Sequence, residues 1–280
     1  MDKPLLILLI LVPLCFFSQT HRFIYLYKFV PDSTKVDSII TEKTRLDIFN
    51  DHSEFISDIV AKRDSAVAFA VERNQSQSDI KLPFGMFNNK VYKSSAQTCT
   101  IEYIGIQPFK LVRKLNLSWK LLNITKKIQG YNCQKATLNF GNRTWEAWFT
   151  TEIPIQDGPY IFGNLPGLIV QINNLKNDHS FLLVENYKTL NTKTNLLYNP
   201  YLKPVEIQES QFKKKWKEFR KHPISPTEQL TLMNPFLRGG KKVDINGNEL
   251  DAKQLDREEQ KHVEKQLQRN NNYIDLSLYK

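Results

Sequence analysis

The most constraining feature of the sequence is a pair of alternating segments joined by only two residues. Ala136–Phe140 and Arg143–Phe149 each alternate in polarity, and Gly141-Asn142 separates them. A period of two is typical of β-strands, and a two-residue linker of this composition is typical of a tight hairpin turn. The segment therefore predicts an antiparallel β-hairpin, with Gly141 at the first position of a type II′ turn.

The hairpin also predicts which side chains share a face. Leu138 lies opposite Trp145 on a largely apolar face, whereas Lys135 lies opposite Trp148 on the polar face. Two interpretations of Trp148 remain open: it stacks against a sugar or peptide ligand, or a helix or strand covers it. We favour the covered position.

An apolar loop follows the hairpin. Its Pro and Gly residues predict a rigid bend, with Pro166-Gly167 in a type II turn. We interpret the loop as a candidate binding element, with Trp145 and Trp148 as candidate aromatic contacts; the alternative is a plug that closes the sheet and contacts no ligand. The candidate loop residues are Asp157, Gly158, Pro159, Tyr160, Leu165, Pro166, Gly167 and Leu168.

The remaining patterns predict a mainly β (α+β) fold, in which a curved antiparallel sheet forms a bowl or partial barrel. A helix at Ser53–Arg73 is expected to pack on this sheet, because its apolar residues recur at helical spacing. Further strands are predicted at His21–Val30, Val36–Ile48, Val91–Gly105, Pro108–Ser118, Leu168–Ile172 and His179–Lys188.

The character of the chain changes near residue 200, which predicts a β-rich domain at 20–200 and a helical, charged extension at 201–280. Phe212, Trp216 and Phe219 share one helical face and are surrounded by basic residues. They are interpreted most simply as the buried stripe of a docked helix. Contact of the basic helix, Phe212 to Lys221, with a membrane surface is the open alternative.

Residues 1–19 predict a secretory signal peptide. The apolar run Leu5–Phe17 makes about 20 Å of helix, which is shorter than the hydrocarbon core of a membrane. A membrane anchor is the alternative, and lipidation of Cys15 is disfavoured because no small residue precedes it. The protein is therefore expected to be exported and periplasmic, outer-membrane associated or extracellular, which argues against nucleic acid as a partner.

Composition excludes several classes of protein. The 280 residues are 41% hydrophobic and 24% charged, as in a globular protein, and the net charge of +10 indicates a basic surface. Removal of the signal peptide leaves Cys99 and Cys133. An oxidising compartment favours a disulfide between them, and two buried free thiols are the alternative.

Strong catalytic signatures are missing from the sequence: it has no nucleophile elbow, phosphate-binding loop, dinucleotide fingerprint or HExxH pair. Glu258 and His262 lie one helical turn apart, but on so charged a helix we interpret them as a solvated pair. We therefore predict no catalytic residue, no metal and no cofactor.

Several segments match motifs of a known family: Phe23–Tyr25, Pro31–Ser33, Asp37–Ser38, Ile128–Thr137, Gly141–Phe149, Ile153–Ile155, Asp157–Tyr160 and Gly163–Ile169. Through them the chain resembles the GLPGLI family, with Asn164 standing where the named motif begins with Gly. The resemblance implies an exported, β-rich envelope protein without an established activity. It is also similar to the amino-terminal bowl-like domain of bacterial peptide N-glycanases, whose catalytic residues have no counterpart here.

The sequence thus favours a non-catalytic binding or assembly module of the cell envelope. Its expected partner is an envelope protein, a peptide or a glycan. The alternative is a hydrolase of peptides or glycans, in which scattered carboxylates or a histidine converge only in three dimensions.

Overall fold

The computed structural model of the chain describes residues 20–76, 80–81, 85–190, 202–234 and 251–280. The predicted signal peptide at residues 1–19, including Cys15, lies outside these residues, as does the predicted domain boundary at residues 200 and 201. Among the helices of the described residues, none is both long and apolar enough to cross a membrane.

Within the described residues, twelve strands form one sheet and four helices pack beside it. The strands are β1 (Thr20–Phe29), β2 (Ile40–Ile48), β3 (His52–Ser57), β4 (Lys90–Ser94), β5 (Thr98–Ile104), β6 (Gln107–Arg113), β7 (Lys120–Ile128), β8 (Tyr131–Phe140), β9 (Arg143–Thr150), β10 (Leu168–Asn174), β11 (His179–Thr189) and β12 (Val205–Ile207). The helices are α1 (Asp58–Glu72), α2 (Glu209–Lys221), α3 (Pro226–Met233) and α4 (Ala252–Arg269).

The sheet is open, with β12 at one edge and β7 at the other. Its strand order is β12-β6-β5-β4-β3-β2-β1-β11-β10-β9-β8-β7. The long pairing of β1 with β11 joins the two halves of the chain, since Thr20 lies opposite Thr189. Neighbouring strands are antiparallel except β12, which is parallel to β6, so the sheet is mixed. The prediction of a mainly β fold with a curved sheet and packed helices is confirmed.

The β8–β9 hairpin has the predicted register. Leu138 pairs with Trp145, and Lys135 pairs with Trp148. The turn type was wrong: Gly141 has a φ of 61° and Asn142 a φ of 58°, so both central residues are left-handed and the turn is type I′. Asn tolerates this conformation better than most non-glycine residues, which allows the alternative turn.

Three predicted boundaries were also wrong. Residues 53–57 belong to strand β3 rather than to the helix, because Phe55 pairs with both Leu46 of β2 and Val91 of β4. Helix α1 therefore begins after Ser57, whose hydroxyl accepts a hydrogen bond from the Val60 amide at 3.4 Å. The predicted strand at 91–105 is a hairpin of β4 and β5, and the strand from Pro108 ends at Arg113. Strand β7 was not predicted.

The main core lies on one face of the sheet. Phe23, Leu46, Phe55 and Trp145 point to this face from four strands and are fully buried. Burial of such large aromatic and aliphatic side chains supplies most of the driving force for folding. Because the apolar residues of the β9–β10 loop pack against the same cluster, the loop is part of the core.

The C-terminal extension folds back onto the sheet. Phe212, Trp216 and Phe219 are buried, and the ring of Phe212 lies 6.0 Å from that of Phe109 on β6. The interpretation of these aromatics as the stripe of a docked helix is confirmed, so their rings are not available to a membrane surface. Contact of the surrounding lysines with an anionic surface stays a prediction.

The terminal segment, residues 270–280, crosses the sheet beyond helix α4. Asn272 donates from Nδ2 to the Val30 carbonyl at 2.7 Å, at the end of β1. The Leu276 amide donates to Gly141 at 3.0 Å, in the β8–β9 turn. Arg113 on β6 donates to Asp275 at 2.9 Å. One short segment therefore ties together strands from both halves of the sheet.

The predicted disulfide is absent. Cys99 lies on β5 and Cys133 on β8, both thiols are free and buried, and seven strands separate them in the sheet. A disulfide requires Cα atoms within about 7 Å, which this placement does not provide. The alternative interpretation, two buried free thiols, is therefore the correct one.

We expect the mature protein to contain two free thiols. Burial raises the pKa of the Cys133 thiol to about 11 and also raises that of Cys99, so alkylation of the folded protein should be slow. After denaturation without reductant, intact-mass spectrometry should show the addition of two alkyl groups. If the denatured protein gained the two alkyl groups only after reduction, the prediction of a disulfide between Cys99 and Cys133 would be correct instead.

Candidate functional site

A cleft of about 530 Å³ opens at the rim of the sheet, where the β9–β10 loop meets two β-turns. We call it the rim cleft. The β2–β3 turn, the β4–β5 turn and the segment after β6 form the other walls. Its lining residues are Ile48, Phe49, Asp51, His52, Ser53, Lys93, Ser94, Ser95, Ala96, Gln97, Thr98, Lys114, Leu115, Leu117, Ile155, Gln156, Asp157, Ile161, Gly163 and Asn164.

The loop wall is rigid because its apolar side chains are buried. Phe162 and Leu165 are at most 1% exposed, and the Phe162 ring lies 4.7 Å from that of Trp145. The predicted type II turn was wrong, since Gly167 does not adopt positive φ. Glycine is required there by close approach instead: a Cβ on Gly167 would lie 2.0 Å from the Thr150 carbonyl oxygen.

A buried ion pair fastens the loop to the sheet. The Lys93 ammonium donates to Asp157 Oδ1 and, at 2.7 Å, to the Gly158 carbonyl. Ser53 donates from its hydroxyl to the other carboxylate oxygen of Asp157 at 2.5 Å. Burial lowers the pKa of Lys93, and the Asp157 carboxylate opposes that shift. Because both charged groups are already hydrogen-bonded, they position the loop and leave ligand contacts to other residues.

An aromatic stack lies beside the rim cleft, which Phe49 and His52 line. The His52 ring lies between the rings of Phe49 and Tyr92, at centroid distances of 4.5 and 4.7 Å. Nδ1 of His52 lies 2.6 Å from Oδ1 of Asp51, and this hydrogen bond lowers the pKa of the Asp51 carboxyl. The stack thus presents an aromatic surface next to an exposed carboxylate.

Uncharged polar side chains surround the mouth of the rim cleft. Asn164 and Gln156 are exposed, and Gln97 is half-buried. Asn164 adopts a φ of 63°, and its backbone N–H donates to the backbone carbonyl of Gln156 at 3.0 Å. The two side-chain amides therefore remain available. Each side-chain amide offers two donors and one acceptor oxygen, so the mouth can exchange hydrogen bonds with hydroxyl and amide groups.

Comparison with known proteins places the chain in a family. Residues 40–203 match the family described as "N-glycanase peptide, N-terminal domain", which is more than half of the chain. The chain belongs to this family. The predicted similarity to the amino-terminal domain of the peptide N-glycanases is therefore confirmed, whereas the GLPGLI assignment stays a prediction.

Two solved structures titled as PNGF-II, in the P21 and C2 space groups, are similar to this N-glycanase-type domain. Each covers 70% of the chain with a TM-score of 0.47, at sequence identities of 17% and 18%. The chain spans about a third of their length, 33% and 32%. No curated protein matches the chain.

The predicted loop residues of this N-glycanase-type domain fall into two groups: two lie at or near the rim cleft, and the others are buried. Asp157 lines the rim cleft, and Pro166 is exposed near it. The other loop residues are buried and do not line the rim cleft, so their role as ligand contacts stays a prediction. These buried residues are Gly158, Pro159, Tyr160, Leu165, Gly167 and Leu168.

The two predicted aromatic contacts lie away from the rim cleft. Trp145 is fully buried in the core and donates from Nε1 to the Phe140 carbonyl at 3.1 Å. Trp148 points to the opposite face of the sheet and is 8% exposed, with the Lys126 ammonium 4.1 Å from its ring centroid. The Lys135 ammonium lies farther from the Trp148 ring centroid, at 5.8 Å.

Sequence reasoning missed Lys93 and the aromatic stack at Phe49 and His52. The sequence does contain a weak indication of Lys93. It shares a strand face with the apolar Val91, and a lysine on the buried face of a strand needs a partner. No local pattern identifies Asp157 as that partner, since 64 residues separate the two.

Proposed function

We propose that this protein is an exported, non-catalytic binding module of the cell envelope that takes a glycan into the rim cleft. The family to which the chain belongs carries N-glycanase in its description, which supports a glycan as the ligand class. The GLPGLI resemblance and the apolar segment Leu5–Phe17 support export. The observation that carries the proposal is that the aromatic side chains of Phe49 and His52 and the neutral amides of Gln156 and Asn164 line one cleft.

The chemistry of a sugar ring fits these walls. A pyranose has an apolar C–H face, which packs on an aromatic ring such as that of Phe49, and a rim of hydroxyl groups. Asn164 and Gln156 supply donors and acceptors for those hydroxyls, and the Asp51 carboxylate accepts further hydrogen bonds. The Lys93–Asp157 pair contributes by holding the loop wall in place before the ligand arrives, which lowers the entropic cost of binding.

The cleft predicts a specific pattern of affinities for an N-glycosylated peptide. Phe49→Ala and Asn164→Ala should each weaken binding at least fivefold, because each removes about 1–2 kcal/mol of stacking or hydrogen bonding. Isothermal titration calorimetry of the mature protein measures this effect, with the same peptide lacking its glycan as the reference ligand.

Two aromatic substitutions elsewhere serve as matched controls. Phe69→Ala removes an exposed ring from helix α1, and Trp148→Ala removes a ring from the opposite sheet face. Both should bind the glycopeptide like the parent. Equal affinity of all four variants, or no preference for the glycosylated peptide, would exclude the rim cleft as the site. Release of the glycan during the titration would replace the binding proposal by the hydrolase alternative.

Export is tested separately by the intact-mass measurement used for the thiols. A mature chain that begins near Ser18 or Gln19 supports cleavage of a signal peptide. Retention of residues 1–19 in protein recovered from the envelope would favour the membrane anchor instead.

A further inference from the structure

A second cavity, of about 370 Å³, lies between the core face of the sheet and the C-terminal extension. We call it the inner cavity. Tyr27 and Tyr160 line it from the sheet side, and Trp216, Phe219 and Tyr279 line it from the extension. Its volume falls within the range of small-molecule sites, and it is several times larger than the space taken by one water molecule.

The lining of the inner cavity is nearly free of charge. Among the described residues that line it there is no lysine or arginine, and Asp275 is the one carboxylate. Arg113 neutralises that carboxylate with a hydrogen bond of 2.9 Å. The other polar groups include the side-chain amides of Asn88, Asn89 and Gln266. An ionic ligand would therefore be desolvated without a counter-charge, which is costly.

The lining of the inner cavity includes one buried imidazole, that of His179. His179 is 1% exposed, and its Nδ1 lies 2.7 Å from the Tyr27 hydroxyl. The Asn272 backbone also interacts with the ring and favours its charged form. Burial, together with the charge of Arg143, lowers the pKa of His179 to about 3, so the ring is neutral at physiological pH.

We propose that the inner cavity binds a small uncharged molecule that presents a flat ring together with an amide or hydroxyl group. The aromatic lining offers faces and edges for the ring, and the neutral side-chain amides offer hydrogen bonds. This site is distinct from the rim cleft, since the two cavities share no lining residue. It would give the C-terminal extension a role in ligand binding, because the extension supplies one wall.

Access to the inner cavity is available at residues that both line it and are exposed. Asn88 lies before β4, and Gln266 lies on helix α4. A large side chain at Gln266 should obstruct this opening without disturbing the buried lining. The same helix offers a control at Gln268, which is also exposed and does not line the cavity.

Three isosteric probes test the charge preference: benzamide is neutral, benzoate is anionic and benzamidine is cationic. We expect benzamide to bind the mature protein with a Kd on the order of 1 mM, as befits so small a ligand. Benzoate and benzamidine should bind at least tenfold more weakly. Ligand-observed NMR titration measures all three. Equal affinity for the charged probes, or no binding of benzamide, would overturn the inference.

Variants locate the bound probe. Gln266→Trp should weaken benzamide binding at least tenfold, whereas Gln268→Trp and Phe49→Ala should leave it unchanged. Loss of binding in Phe49→Ala would place benzamide in the rim cleft and refute the inner site. Because the glycopeptide titration uses the rim cleft, failure of either site leaves the result for the other interpretable.

Discussion

Replacing Glu102 with glutamine should make the protein about 3 kcal/mol more stable at pH 8 and leave its stability at pH 4 almost unchanged. Glu102 lies on β5 and is completely buried beneath the terminal segment. Its Oε2 accepts a hydrogen bond from the Tyr279 hydroxyl at 2.6 Å and another from the Asn89 side-chain amide. Glutamine keeps an acceptor oxygen and carries no charge at any pH.

The expected pH dependence follows from the pKa of this carboxyl. Burial raises the pKa of Glu102 from 4.5 to about 7, the nearby Asp275 charge adds to the rise, and Tyr279 and Arg113 oppose it. Between these two values the folded protein binds the proton that the unfolded chain has released. The stability of the parent therefore falls as the pH rises from about 4.5 to 7, and the full penalty persists above pH 7.

Urea denaturation of parent and Glu102→Gln between pH 4 and pH 9 measures this effect. The difference between the two proteins at each pH isolates Glu102 from the other carboxyls that titrate in the same range. Glu206→Gln is the matched control, because this glutamate on β12 is 64% exposed. A Glu102→Gln profile parallel to that of the parent would show that the carboxyl is ionised without penalty in the folded state.

Replacing Lys93 with methionine should lower the free energy of unfolding by about 3–5 kcal/mol. The ammonium lies in a side chain that is 12% exposed and holds Asp157, which is itself 16% exposed. Removal of one partner leaves the other charge buried without compensation, which costs far more than the pair contributes in net terms. The loop wall of the rim cleft should loosen as a consequence, and glycopeptide affinity should fall with it.

The chain contains a suitable control for this substitution. Lys43 and Glu185 form an ion pair of 2.6 Å, but the two side chains are 54% and 49% exposed. Lys43→Met should change the stability by less than about 1 kcal/mol, because solvent screens an exposed pair. Adding Asp157→Asn to Lys93→Met should recover part of the lost stability. A loss in Lys93→Met as small as that in Lys43→Met would show that the buried pair does not anchor the loop.

Local sequence was sufficient wherever one element determines its own geometry. The β8–β9 register followed from alternation on both sides of a two-residue linker, and a shift of one residue would have moved Trp145 out of the core. The burial of Phe212 and Trp216 followed from their spacing on a single helix. In both cases the interacting residues are neighbours in sequence, so periodicity contains the necessary information.

Local sequence failed where a distant element overrides a pattern. Phe55 fits a helical stripe, but pairing on both sides within the sheet holds it in β3. Pro166-Gly167 fits a type II turn, yet the decisive constraint is the Thr150 carbonyl, 2.0 Å from where a Gly167 Cβ would lie. Such contacts are set by elements that are remote in sequence or approach closely only after folding, and intrinsic propensities of about 1 kcal/mol cannot resist them.

By itself the sequence determined that the chain is mainly β, that one hairpin has a fixed register and that an aromatic helix docks on the sheet. Only the tertiary structure decided that Lys93 meets Asp157, that Cys99 and Cys133 stay apart and that the terminal segment encloses the inner cavity. The physical reason is that periodicity specifies which face of an element is apolar. It does not specify which of many distant elements covers that face, and cavities and buried ion pairs arise from that choice.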